Sequence, residues 1–191
     1  MRKLAGLWVI GILLVGYTAH AQTVQDFNLV NVLTGNSVSL STYPSCSGVV
    51  IIFTTNACPY DEYYRARITK LSHDYHEKVP VLLVNSNPDP TDSNDAMVKK
   101  AQQAGITIPY LADKDQTLMN ALGATKSPSV YLLKNDGGKF TIVYKGAIDD
   151  NAQVEADVRH AYLKEAIDQL LAGQAIPTGE VRPVGCSIRK K

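Results

Sequence analysis

Hydrophobic and polar positions alternate with two periods along this chain. "GVVIIFTT" (48–55) and "VPVLLVNSN" (79–87) are continuous apolar, β-branched runs, the pattern of strands buried on both faces. Between them, Tyr60, Tyr64, Ile68, Leu71 and Tyr75 recur every three or four residues and predict a helix over 60–77 with one apolar face. After a polar loop, "PDPTDSND", Asp92 or Ser93 is placed to cap a second helix that runs to about Gln103 and stops at Gly105. "IPYLAD" reads as a short strand, and "KDQTLMNALG" as a short helix closed by Gly123. "PSVYLLKN" and "KFTIVYKGA" flank Asp136-Gly137-Gly138, the strongest hairpin signal in the chain. "VEADVRHAYLKEAIDQLLAG" predicts a final amphipathic helix over 154–173, followed by a proline-containing tail. Before all of these, residues 24–43 read as two short strands around a Thr34-Gly35-Asn36 turn.

The N-terminus follows a different rule. Arg2 and Lys3 precede the apolar run "LAGLWVIGILLVGY" and then Ala19-His20-Ala21. A charged start, an apolar stretch and an A-x-A site predict a signal peptide over 1–21, with an uncleaved anchor as the alternative. The run is too short to favour a stable membrane span. An exported, periplasmic or extracellular domain over 22–176 and a C-terminal tail over 177–191 are therefore expected. Without Arg2 and Lys3 the 19 basic residues fall to 17, against 18 acidic ones. Such a balance, with no basic stripe, gives no reason to expect a nucleic-acid partner.

The element order, β-α-β-α, a short helix, a β-hairpin and a last helix, predicts an α/β protein: a central mixed sheet with helices on both faces and a late β-hairpin. This is the order of a thioredoxin-like fold.

Three cysteines carry the candidate chemistry: Cys46, Cys58 and Cys186. Cys58 stands where the first buried strand gives way to a helix, and Pro59 suits the first helical turn. Unpaired N–H groups there stabilise a thiolate, the nucleophile of disulfide exchange and of peroxide reduction; a small buried structural cysteine is the alternative. Ser127-Pro128 precedes the hairpin. A cis-proline at Pro128 would expose the Ser127 backbone to an extended substrate, whereas a trans-proline would simply open the strand. Cys46 and Cys58 flank a strand that separates its ends by about 20 Å, whereas a disulfide needs Cα atoms within about 7 Å. The tail carrying Cys186 reaches about 40 Å when extended, so by elimination Cys58–Cys186 is the best intramolecular pair, a free or buried Cys186 being the alternative. Neither the oxygen donors of "NPDPTDSND" nor His73 and His76 match a metal-site spacing, so neither a metal nor another cofactor is expected.

Six ordered pieces carry a resemblance: "NACPY" (56–60), "DAMVKKAQQAGITIPYLADKDQ" (95–116), "LGATKSPSVYLL" (122–133), "YKGAIDD" (144–150), "YLKEAIDQLLAG" (162–173) and "VGCSIRKK" (184–191). Together they resemble the thioredoxin-like redoxins, relatives of the alkyl-hydroperoxide-reductase/thiol-specific-antioxidant proteins that carry a "CNHCPY"-type motif and a "GCSIK" ending. The resemblance implies a thioredoxin fold, a thiol site at Cys58, a role for Cys186 and a cis-proline at Pro128. The departure is Thr55, which stands where the motif has its first cysteine. A dithiol cycle within that motif is thereby excluded. Thr55-x-x-Cys58 also resembles the peroxiredoxin core, in which the threonine hydroxyl orients a peroxide, although the upstream proline of that core is missing and no motif selects its arginine among Arg65, Arg67 and Arg159. The expected activity is thiol-disulfide exchange by Cys58 with Cys186 as partner, on protein thiols or disulfides and with an external reductant. The alternatives are reduction of small peroxides and a non-catalytic module. Cys58, Cys186 and Thr55 are the expected reactive residues; Pro128, Ser127 and Pro59 are expected to bind substrate.

Overall fold

The all-apolar run at 48–53 becomes the centre of the sheet. In a computed structural model, which describes residues 22–191, the elements are β1 (Thr23–Val24), β2 (Leu29–Asn31), β3 (Ser37–Val38), β4 (Gly48–Phe53), α1 (Pro59–Tyr75), β5 (Val81–Asn85), α2 (Asn94–Ala104), β6 (Tyr110–Ala112), α3 (Thr117–Leu122), β7 (Lys126–Ser127), β8 (Ser129–Asp136), β9 (Lys139–Gly146), α4 (Tyr162–Leu171), β10 (Glu180–Val181) and β11 (Cys186–Ser187). The signal peptide expected over 1–21 lies outside the described residues. None of the described helices is long and apolar enough to cross a membrane.

The strand order is β1-β9-β8-β4-β5-β6-β2-β3, with β10 added parallel to β9. The β4–β5 and β5–β6 pairs are parallel, while β4–β8 and β8–β9 are antiparallel. Two βα crossovers and a late hairpin demand this mixture. Alternation then splits the core. Val50 and Ile52 face α1, α2 and α4 through Tyr64, Ile68, Met97, Leu163 and Ile167. Val49, Ile51 and Phe53 face the opposite side and pack on Leu118, Met119 and Leu122 of α3. The expected α/β architecture, a thioredoxin-like fold with helices on both faces, is the one observed.

Local signals place most boundaries. The β8–β9 turn puts both Gly137 and Gly138 at positive φ, as a two-residue hairpin requires. Ser93 Oγ accepts from Ala96 N and caps α2, and Gly105 closes that helix in the left-handed region.

The last helix is shorter than its pattern. It starts at Tyr162, and residues 154–161 form a loop with one short turn, Glu155–Asp157. Acidic and amide side chains accept from backbone N–H groups in and just before this stretch and hold it as a loop. Asp149 Oδ1 accepts from Asn151 N, Asn151 Oδ1 from Gln153 N and Val154 N, and Asp150 Oδ1 from Arg159 N. Arg67, on α1, ties the loop down by pairing with Asp149 and donating to the carbonyls of Asn151 and Ala152. The tail expected over 177–191 has short strands of its own. It carries β10 and β11, which borrow partners from β9 and β7.

Candidate functional site

Cys58 is the N-cap of α1 and Pro59 occupies the first helical position. The strand-to-helix junction thus delivers the sulfur to a helix N-terminus, where Asp61 N returns to the Cys58 carbonyl. Cys58 is buried, at 5 % exposure, whereas Pro59 is exposed. Its sulfur is bonded to Cys186, with Cα atoms 5.9 Å apart. Cys46 is a free thiol, and burial raises its pKa.

The tail reaches Cys58 by backbone pairing. β11 runs antiparallel to β7, with Cys186 opposite Ser127 and Ser187 opposite Lys126. The Ser127–Pro128 bond is cis, and both residues are buried in this disulfide-bonded form. The Cys58 sulfur lies 3.2 Å from the Ser127 carbonyl oxygen. Gly185 makes the approach possible: a Cβ there would sit 2.2 Å from the same oxygen. Beyond the cysteine the tail is anchored. Ile188 is buried against the α3 face of the sheet and its N–H donates to Thr125 O. Gln116 Nε2 donates to Arg189 O, and Gln116 Oε1 accepts from Lys191 N. Arg189 donates to Asp89, and its N–H to Asn87 Oδ1.

Beneath the disulfide lies a buried carboxyl. Asp61, in the first turn of α1, is 8 % exposed. Its Oδ2 accepts from Thr55 N at 3.2 Å, from Thr55 Oγ1 at 3.4 Å and from Ser127 Oγ. Its Oδ1 has no hydrogen-bond partner among the described residues. Burial pushes the Asp61 carboxyl up to about 6, against the opposing effect of these donors. Asp61 and Cys58 line one pocket of about 40 Å³, which reaches Glu62, Arg65 and Lys100. That is room for at least one water, which would give Oδ1 a donor.

A second polar cluster braces the loops around the site. Asp92, fully buried, accepts from Asn56 N, Asn85 Nδ2 and Asn87 Nδ2. Tyr110 OH joins the cluster by accepting from Asn85 and donating to Asn56 Oδ1. Lys114 donates to Asn85 O, Asn85 Oδ1 and Asn87 O, and burial lowers its ammonium to about 8. The motif loop 54–58 is thereby held through Asn56, and the cluster meets the tail where Asn87 accepts from Arg189 N.

All six residues expected from the sequence therefore meet at one place: Cys58 and Pro59 at the helix start, Ser127 and Pro128 at the β7–β8 junction, Cys186 across from Ser127, and Thr55 beside Asp61. The Thr55 hydroxyl oxygen also lies 3.3 Å from Ser127 Oγ. Of the three arginines, Arg65 lines the pocket and pairs with Glu62, while Arg67 is committed to Asp149. Sequence reading missed Asp61, Asp92 and Gly185. A signal for Asp61 was present, because it falls on the same helical stripe as Tyr64 and Ile68, a charged residue on an apolar face.

No curated protein sequence matches the chain. Among solved structures it is similar to an uncharacterized conserved protein from Geobacillus kaustophilus, with 31 % identity and a TM-score of 0.79 over 90 % of this chain and 92 % of that one. A hypothetical protein from Sinorhizobium meliloti 1021 is 26 % identical, with a TM-score of 0.80 over 92 % and 97 %. A putative thiol:disulfide interchange protein, DsbE, from Chlorobium tepidum is 19 % identical, with a TM-score of 0.59 over 80 % and 95 %, and shares the fold. The Redoxin family model matches residues 19–162, from just before the first strand to the start of α4, and the chain belongs to the Redoxin family.

Proposed function

We propose that this protein is an exported thiol-disulfide oxidoreductase whose working couple is Cys58–Cys186. The observation that carries this reading is the disulfide itself. It joins a helix N-cap sulfur to a strand seated on the cis-Ser127–Pro128 edge, above a buried carboxyl. In one direction an external dithiol transfers two electrons to the disulfide, leaving Cys58 and Cys186 as thiols and the dithiol as a disulfide. In the other direction the reduced pair passes those two electrons to a protein disulfide and closes again. Asp61 is suited to exchange the Cys58 proton through a water in the shared pocket, because burial raises its carboxyl to about 6. The Thr55 hydroxyl is engaged by Asp61 and Ser127, which favours disulfide exchange over peroxide reduction.

The test is equilibration of the full mature chain with glutathione redox buffers, followed by reduction of a protein disulfide substrate. A measurable Cys58–Cys186 potential above about −300 mV, with turnover lost in Cys58→Ser and in Cys186→Ser, is expected. A disulfide that resists glutathione without denaturant would mark a static staple instead.

A further inference from the structure

We infer that Cys186, carried on the tail, is the sulfur that exchanges with external thiols and disulfides, and that Cys58 is the buried resolving cysteine. This rests on the oxidoreductase reading above and reverses the roles that the position of Cys58 at the helix start leads one to expect.

Three observations converge. The first is access. Cys58 is 5 % exposed, with the Ser127 carbonyl oxygen against its sulfur. Cys186 is half-buried, between exposed Ser187 and half-buried Gly185, and Val184 beyond is 61 % exposed. An incoming thiolate meets the tail before it meets the helix. Ser127 and Pro128, where an extended peptide would pair, are covered by β11.

The second is the leaving group. Attack on the Cys186 sulfur forms a new S–S bond there and expels Cys58 as the thiolate, at the N-terminus of the 17-residue α1. That thiolate is stabilised by the helix terminus and leaves faster than an ordinary thiolate. Attack on the Cys58 sulfur would expel Cys186, which has no such support.

The third is return. The tail is tied on both sides of the cysteine, by β10 pairing with β9 and by Ile188, Arg189 and Lys191. A Cys186 joined to a partner therefore stays within reach of Cys58, and intramolecular closure outpaces a second intermolecular encounter. The steps balance. Reduced Cys186 thiolate attacks a substrate disulfide, forms a mixed disulfide and releases one substrate thiolate. Cys58 thiolate then attacks the Cys186 sulfur, reforms Cys58–Cys186 and releases the second. The chain loses two electrons and the substrate gains them. Cys186 thus supplies the more accessible sulfur that the motif lacks at Thr55.

Sulfite in the presence of iodoacetamide reads the polarity directly. Sulfite attacks one sulfur of the native disulfide and leaves an S-sulfonate on it, and iodoacetamide alkylates the thiolate expelled. The full mature chain carrying Cys46→Ser, so that only the couple reports, is digested and mapped by mass spectrometry. S-sulfonate on Cys186 with alkylated Cys58 is expected at tenfold or more over the converse. An even split, or S-sulfonate mainly on Cys58, overturns the assignment and leaves the exchange reading standing. A disulfide inert to sulfite and to glutathione in the folded chain overturns both.

Discussion

Cys186 stands directly opposite Ser127 in a two-residue antiparallel bridge, so backbone pairing carries the disulfide partner of Cys58 to it. The chain thereby closes its disulfide across 128 residues rather than within a four-residue motif. The closeness of that bridge depends on Gly185.

Gly185→Ala places a methyl 2.2 Å from the Ser127 carbonyl oxygen, so β11 must shift. Backbone displacement of this kind costs about 1–3 kcal/mol. The Cys58–Cys186 disulfide of the variant is expected to be about tenfold or more easier to reduce in glutathione buffers.

Removing the couple tests how much it holds the fold. Cross-linking a loop of this length stabilises by about 4–5 kcal/mol in the chain-entropy description. Cys58→Ser, Cys186→Ser and the double variant should each lower the unfolding free energy by a similar amount of about 3–5 kcal/mol, because either change removes the same bond. Urea titration measures this, and additive losses would show that the cysteines stabilise separately.

Asp61 predicts a pH dependence of defined sign. Its carboxyl is raised to about 6 in the fold from 3.8, so between these values the folded chain binds more protons than the unfolded chain. Its contribution to stability therefore grows as pH falls through 6 towards 4 and is lost as pH rises through the same window. On going from pH 7 to pH 4, the wild type should gain about 1–3 kcal/mol relative to Asp61→Asn. The same variant should close its disulfide at least about tenfold more slowly near neutrality if Asp61 takes the proton of Cys58. An unchanged closing rate would limit Asp61 to holding Thr55 and Ser127.

Arg67 offers a control away from the couple. It pairs with buried Asp149 and holds the Asn151 and Ala152 carbonyls, while Tyr64 OH donates to the same aspartate at 2.8 Å. Arg67→Met strands that carboxylate and should cost about 3 kcal/mol or more in unfolding free energy. The rate of disulfide reduction should stay within about twofold of wild type. Hydrogen exchange should show the loop 149–161 opening first.

The sequence alone determined the parts whose causes are local. Gly48 and the five apolar residues after it make a central strand, two glycines at 137 and 138 supply the positive φ of a tight hairpin, and a cysteine before Pro59 at a strand-to-helix junction becomes an N-cap. The pairing of Cys58 with Cys186 was also legible, because β4 separates Cys46 from Cys58. Only the tertiary structure decided the burial of Asp61, the loop that replaces the first turns of the last helix, and the seat of the tail on β7. Asp61 owes its raised carboxyl to burial, against the pull of Ser127, which donates to it from 66 residues away. The helical pattern before Tyr162 is undone by side chains that cap the loop and by Arg67, more than 80 residues back in the chain. The roles proposed for the two sulfurs rest on which of them the fold covers. Local sequence sets backbone preference, but burial and access arise from segments distant in the chain, and these set the surroundings of the Cys58–Cys186 disulfide.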